Sequence, residues 1–360
     1  MFARTLSILV LLLVIAAGSL TSYEVIAELD SAANPQDTSW YDGTVWSAMR
    51  SDFTMPTYTN QPAVQEEIRW FQDHRRYLYH VLNNSRPYIY YVYQQTKRYD
   101  LPAEFALLPV IESQYNPIAY SSAGAEGLWQ MMPGTASGSH LKTDRWYDGR
   151  RDVIASTKAA LSYLTYLHTF FDNNWLLALA AYDSGDGTVQ NAIYYNHNRG
   201  ERTDFWALPL PLETQSYVPK MLALIAIISD PSSYGIRLPN IPNQPYLKSV
   251  KIDSQINITT AAKLADISVN NFKKLNPALR HNVTDPNGPY TLLVPANKAT
   301  LFNKQLIQLG KSKHSTYMVK TGDSLSRIAH RYRITVNDLQ KWNNIHTTDI
   351  KPGQQLRIIE

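Results

Sequence analysis

Glu112 closes an apolar stretch, Phe105, Leu108 and Ile111, with helical spacing. A helix C-terminus is the negative end of the peptide dipole, so a carboxylate there is disfavoured, and apolar neighbours add desolvation. Both effects raise the pKa. A carboxyl that stays protonated near neutral pH suits a general acid, for example toward a glycosidic leaving oxygen. Downstream lies the string ESQYNPIAYSSAGAEGLWQMMPGT, Glu112 to Thr135. Gly124, Gly127 and Gly134, with Ser121 and Ser122, predict a loop able to turn around the glutamate. Gln130, between Trp129 and Met131, offers amide donors and acceptors in an apolar wall, the kind of surface that holds amphipathic sugar rings. Tyr182, Asp183 and Asp186 gather at a helix end, and the i, i+4 pair Glu213 and Tyr217 shares a helical face. Other carboxylates have plainer readings. Glu104 is expected to face a helix dipole and Glu126 to face solvent. Asp144, Asp148 and Asp152 read as salt-bridge or capping partners of the region around Arg145, Arg150 and Arg151.

Helices must position these groups. From Pro62 the periodicity is helical, with Val64, Ile68 and Phe71 opposite Glu66, Glu67 and Asp73. Tyr88–Tyr99 reads as a second helix. A third opens at Pro102, and Pro109 within it predicts a kink. Asp152–Phe171 is the clearest helix, followed by Trp175–Tyr182, Val189–Asn196 and the apolar Thr214–Ser229. Nothing between 62 and 235 alternates as a strand would. The expected fold is therefore mainly α: a helical domain over 62–237, then small α/β modules. Residues 21–61 read as an extended N-terminal segment. Residues 238–245 read as a proline-rich linker, which should let the helical domain stand alone. Beyond it, 246–296 and 315–360 echo each other as strand–helix–helix–strand units, joined by a linker over 297–314.

The chain has 360 residues, 44% of them hydrophobic and 18% charged, which excludes a disordered protein. It has no cysteine, which excludes disulfides, thiolate metal sites and cysteine nucleophiles. Residues 1–20, with a basic start and the apolar run Leu6–Ala17, read as a signal peptide or membrane anchor. Export is expected. Residues 1–245 carry 17 Lys/Arg against 23 Asp/Glu, whereas 246–360 carry 17 against 7. The basic half calls for an anionic partner. In an exported protein a carboxylate-rich cell wall fits that role better than nucleic acid.

The motifs together resemble the goose-lysozyme-like lytic transglycosylases that cleave peptidoglycan, most closely the membrane-bound lytic murein transglycosylase D group. Glu112-Ser113 looks like that family's catalytic Glu-Ser, and Gly127-Leu128-Trp129-Gln130 like its Gly-Leu-(Met/Trp)-Gln. Ala181-Tyr182-Asp183 looks like Ala-Tyr-Asn, and Glu213 with Tyr217 like the motif on the last helix. Asp183 departs from the family's Asn and Asp186 from its more usual Glu. Residues 317–359 resemble a LysM carbohydrate-binding module, with Gly322-Asp323-Ser324-Leu325 and Asn343 at its motif positions; 246–296 resemble a degenerate copy. The resemblance implies a lysozyme-like catalytic domain in which Glu112 is the sole proton-transfer residue. It implies that Ser113, Ser121, Gln130, Met131, Tyr182, Asp183, Glu213 and Tyr217 bind or orient sugar. In the LysM unit, Gly322–Leu325 and the Asn344-Ile345 loop would line the glycan groove.

With one catalytic carboxyl, where ordinary glycosidases need two, the sugar supplies its own nucleophile. Its 6-hydroxyl closes on C1 to leave a 1,6-anhydro-N-acetylmuramyl end. No metal or cofactor is implied, and no His-x-x-x-His spacing occurs. The implied partners are peptidoglycan strands, with cell-wall synthesis or division complexes and the membrane as further candidates and no nucleic acid. The implied location is the periplasm or envelope of a Gram-negative bacterium. A hydrolytic goose-type lysozyme and a non-catalytic wall-binding protein stand as alternatives.

Overall fold

The computed structural model describes residues 43–252, 254–286, 290–312, 314–332 and 334–359. The apolar leader and the start of the lead-in lie outside these. The described part of the lead-in holds a helix, α1 (Val45–Ser51), rather than extended chain alone. Thr44 caps it by accepting from the Ser47 N–H, and Val45, Trp46 and Met49 are buried. The amphipathic spacing of those residues thus made a helix of seven residues, kept in place by packing rather than by length.

The helical domain continues through α2 (Pro62–Asp73), α3 (Arg75–Asn84) and α4 (Ile89–Arg98). A 3-10 segment, Ala103–Leu107, leads into α5 (Leu108–Ser113). Pro109 therefore sits in the first turn of α5, where its missing N–H costs nothing, and it starts a helix instead of kinking one. Next come α6 (Pro133–Gly138), α7 (Val153–Phe170), α8 (Trp175–Ser184), α9 (Asp186–Asn198) and α10 (Leu212–Ser229). Asp152 caps α7 through the Ala155 N–H, as its sequence position suggested. From Val218 to Ile228 every residue of α10 but Lys220 is buried. A helix apolar on all sides belongs in the middle of a domain, and α10 has α2, α8 and the 3-10 segment packed around it.

Two small modules follow. In the first, β1 (Leu247–Ile252) pairs antiparallel with β2 (Tyr290–Pro295), enclosing α11 (Ile258–Leu264) and α12 (Val269–Leu275). The span read as a linker is helix α13 (Ala299–Ser312), whose Ala299 and Phe302 are buried in the first module's core. Apolar residues at Leu301, Phe302, Leu306 and Leu309 carried that helical signal. In the second, β3 (His314–Met318) pairs with β4 (Gln355–Ile359) around α14 (Leu325–Tyr332) and α15 (Val336–Asn343).

The proline-rich stretch 238–245 is not a free tether. Leu238 and Ile241 are buried, the Trp46 indole N–H donates to the Pro239 carbonyl at 2.7 Å, and the Val45 N–H to that of Ile241 at 2.8 Å. The first module is also docked. Its Leu275 and Leu293 belong to the core of the helical domain. The Asp148 N–H donates to the Ala278 carbonyl, and the Arg280 N–H to that of Trp146, both at 2.9 Å. Among the described residues no helix is long and apolar enough to cross a membrane.

Candidate active site

Glu112 is the penultimate residue of α5, and Gln114 ends that helix in the left-handed conformation at φ 56°. The carboxyl thus sits at the negative helix end that the spacing indicated. Burial is the main cause that pushes its pKa up to about 8; a hydrogen bond from Tyr217 opposes the rise, and the charges of Asp183 and Glu213 add to it. Tyr217 lies one turn inside α10 and donates its hydroxyl to Glu112 Oε1. Burial raises the Tyr217 pKa well above its ordinary value, so the phenol keeps the proton it donates.

The Gly-rich loop is tied to the neighbours of this pair, Ser113 on α5 and Tyr182 on α8 (Trp175–Ser184). Antiparallel hydrogen bonds join Glu126 and Met131, each 3.2 Å, with Gln130 at the turn in a left-handed conformation. The Gln130 amide N–H2 donates to the carbonyls of Gly127 at 2.9 Å and Ala119 at 3.2 Å, and the residue is half-buried. Ser113 is buried and donates to the Leu128 carbonyl at 2.7 Å. It therefore fastens the loop to α5 and has no open face for sugar. Ser121 likewise braces the loop, its Oγ accepting from the Ala125 N–H at 3.0 Å. Met131 is buried in the core. Tyr182, at the end of α8, donates to the Trp129 carbonyl at 2.9 Å, and the Trp129 indole donates to Thr157 Oγ1 on α7.

Asp183 accepts from the Thr214 hydroxyl at 2.6 Å. Burial raises its pKa against that bond, and the Glu213 charge raises it further. The carboxylate in place of an amide is thus tied to the first turn of α10. Glu213 is exposed on that turn. The structure brings Glu112, Tyr182, Asp183 and Tyr217 together, with Glu213 at the edge and Gln130 next to the Trp129 carbonyl that Tyr182 holds.

Two readings of single carboxylates are corrected. Glu126 is buried, not solvent-facing, and is ion-paired with both Arg150 and Arg151. Glu104 is buried, and its Oε1 accepts the N–H groups of Thr54 and Met55, each at 2.6 Å. A lone charge in a polar loop or a first turn gave no sign of a distant partner.

Sequence reading also missed a cleft of about 730 Å³ lined by Thr135, His140, Lys158, Ser162, Tyr163 and Tyr166 among others. It adjoins the site: Tyr163 packs against the Tyr182 ring at 5.8 Å, and the Tyr166 hydroxyl donates to Asp186 at 3.1 Å. The available signal was a polar and aromatic stripe, Lys158, Ser162, Tyr163 and Tyr166, along one side of α7. Among the described residues no group of three or more His, Asp or Glu is arranged to hold a metal ion.

In the second module, Asp323 accepts from the Tyr317 hydroxyl at 2.7 Å and the Lys320 N–H at 2.8 Å, fixing the Gly322 turn at φ 87°. Ser324 and Asn344 are exposed and Ile345 is half-buried. Leu325 is buried in the module core, so its side chain shapes the turn and does not face a ligand.

Residues 90–205 match the transglycosylase SLT domain family, 246–311 the LysM-like domain of lytic transglycosylase MltD, and 317–358 the LysM domain. Fold, site and these matches define a lytic transglycosylase with two LysM-type modules. The chain is 38% identical over 330 residues to the membrane-bound lytic murein transglycosylase D of Escherichia coli (strain K12), covering 88% of this chain and 73% of that protein. It is 31% identical over 141 residues to the soluble lytic murein transglycosylase of the same strain, 35% of this chain and 21% of that protein. Among solved structures, the 70 kDa soluble lytic transglycosylase from Escherichia coli is 24% identical, covering 45% of this chain and 29% of that one at a TM-score of 0.34. The chain belongs to the membrane-bound lytic murein transglycosylase D family.

Proposed function

We propose that the enzyme cleaves the β-1,4 bond between N-acetylmuramic acid and N-acetylglucosamine in peptidoglycan, with Glu112 as its only acid and base. The observation that carries this is the Glu112 carboxyl at the end of α5, hydrogen-bonded by Tyr217, where burial pushes its pKa up to about 8. Glu112 gives its proton to the bridging oxygen as the bond to C1 breaks. The resulting carboxylate takes the proton of the muramic 6-hydroxyl as that oxygen bonds to C1. No water is consumed, and the product ends in a 1,6-anhydro sugar. Gln130, Tyr182 and Tyr217 orient the sugar, and the cleft beside Tyr163 extends the glycan path. The protein acts in the envelope of a Gram-negative bacterium, exported by its leader. The exposed turn of the second module holds it on the wall.

Glu112→Gln tests this. Turnover should fall by about 10²–10⁴-fold, the usual contribution of general acid–base catalysis. Wild-type activity should drop above pH 8, as Glu112 loses its proton. The same shift has a stability consequence. A carboxyl raised from 4.5 to about 8 binds more protons folded than unfolded between those values, so rising pH through that window destabilises the fold. Glu112→Gln removes that penalty, so the variant should melt higher than wild type, with a gap that widens from pH 4.5 to pH 8. Full activity in Glu112→Gln contradicts the assignment.

A further inference from the structure

Asp148 is wholly buried. Burial alone would raise its pKa, but hydrogen bonds from Arg150 and Arg280 hold the carboxyl well below the usual range. Arg280 belongs to the first module and reaches Asp148 Oδ2 at 2.6 Å. Arg150 meets the same carboxylate through Nε at 3.1 Å and Nη2 at 2.9 Å. From there Arg150 turns to the active-site loop: Nη1 donates to the Gly124 carbonyl at 3.0 Å, and Nη2 pairs with Glu126. Glu126 is the residue whose backbone bridges to Met131, next to Gln130. Contact between loop and arginine is close: a Cβ on Gly127 would lie 1.9 Å from the Arg150 carbonyl oxygen. A continuous set of charge-assisted bonds therefore joins the first module to the turn that carries Gln130.

The segment that makes this contact has a counterpart in the second module. Asn276 donates to the carbonyls of Phe272 at 3.0 Å and Leu293 at 2.8 Å, and accepts from the Leu293 N–H at 2.7 Å. Asn343 makes the same three bonds, to Leu339, to Arg357 and from the Arg357 N–H. The two asparagines are equivalent, so Pro277 and Ala278 stand where the second module has Asn344 and Ile345. Pro277 and Ala278 are buried, and the loop Trp146–Asp148 of the helical domain is bonded to the residues that follow.

We propose that Arg280 is a positioning residue for transglycosylation, and that the first module, docked on the helical domain through the segment after Asn276, acts as a clamp that sets the Gln130 loop through Asp148 and Arg150. The inference rests on the catalytic reading given above. Arg280 is partly exposed and Asp148 keeps Arg150, so Arg280→Ala should fold.

In the full-length protein, Arg280→Ala should lower kcat on soluble glycan strands about tenfold with KM little changed, since small misplacements of a catalytic wall cost up to about 10²-fold. Amide hydrogen exchange of Glu126, Gly127 and Met131 should speed up in step, while sacculus binding stays as in wild type. Arg280→Lys, which restores the charge, should recover most of kcat and of the protection. Wild-type kcat and unchanged exchange in Arg280→Ala overturn the proposal. So does a lowered melting temperature with kcat unchanged at temperatures where the variant is folded. Glu112→Gln run alongside separates the two readings: if it is inactive while Arg280→Ala is fully active, only the clamp is wrong.

Discussion

The two small modules share a strand–helix–helix–strand frame, the same asparagine bridge and antiparallel strand pairing, yet they meet their surroundings differently. In the first, the segment after the bridging Asn276 is buried against the helical domain, and leucines from the module complete that domain's core. In the second, the equivalent segment opens to solvent beside the Gly322 turn. One framework is thus packed into the helical domain in one copy and opens that segment to solvent in the other. The difference lies in a few side chains: Pro277, Ala278 and Arg280 on one side, Asn344 and Ile345 on the other.

Truncation should separate them most sharply. A chain ending after Ser312 keeps the first module and should retain turnover on soluble glycans while losing retention on sacculi. A chain ending after Pro239 re-exposes the core beside Leu275 and Leu293, where each buried leucine contributes about 1.5–3 kcal/mol. It also removes Arg280 from Asp148. Activity of that shorter chain should collapse, with a cooperative melt lost or shifted far down. Equal activity of the two truncated proteins on soluble strands would break the comparison.

A finer cut uses the equivalent asparagines. Asn276→Ala strands the buried Leu293 N–H, at about 1–3 kcal/mol, whereas the matching Asn343 bonds to Arg357 are exposed and their loss costs less. Asn276→Ala should lower both the melting temperature of the helical domain and turnover. Asn343→Ala should loosen only the last module, sparing soluble turnover and weakening sacculus binding. If both variants affect soluble turnover alike, the modules are not independent.

Much of this was legible beforehand, for physical reasons. Periodicity placed α2, α4, α7 and α10, because an apolar stripe at helical spacing has few other uses. The position of Glu112 at the end of an apolar run forecast its raised pKa. Three things were hidden. The seven-residue α1 gains its stability from Pro239, Ile241 and the core, contacts almost 200 positions away in the chain. Prolines at 239, 242 and 245 promised a loose tether, but Leu238 just before them and Ile241 between them found the core. Charged residues were hardest: the Asp148–Arg150 pair was expected from its spacing, but Glu126 looked solvated and Arg280 is far away in the chain, and only the fold brings both into the set.

The central claim is that the sugar, not water, supplies the nucleophile to a site with one working carboxyl. Mass spectrometry of the muropeptides released from purified sacculi by the full-length enzyme tests it most directly. Every newly formed muramic end should carry the 1,6-anhydro mass, one water below the hydrolytic product, and digestion in ¹⁸O-labelled water should leave no label there. Reducing ends of full mass bearing ¹⁸O would mean that water attacks C1, and the account of Glu112 as sole acid and base would be contradicted.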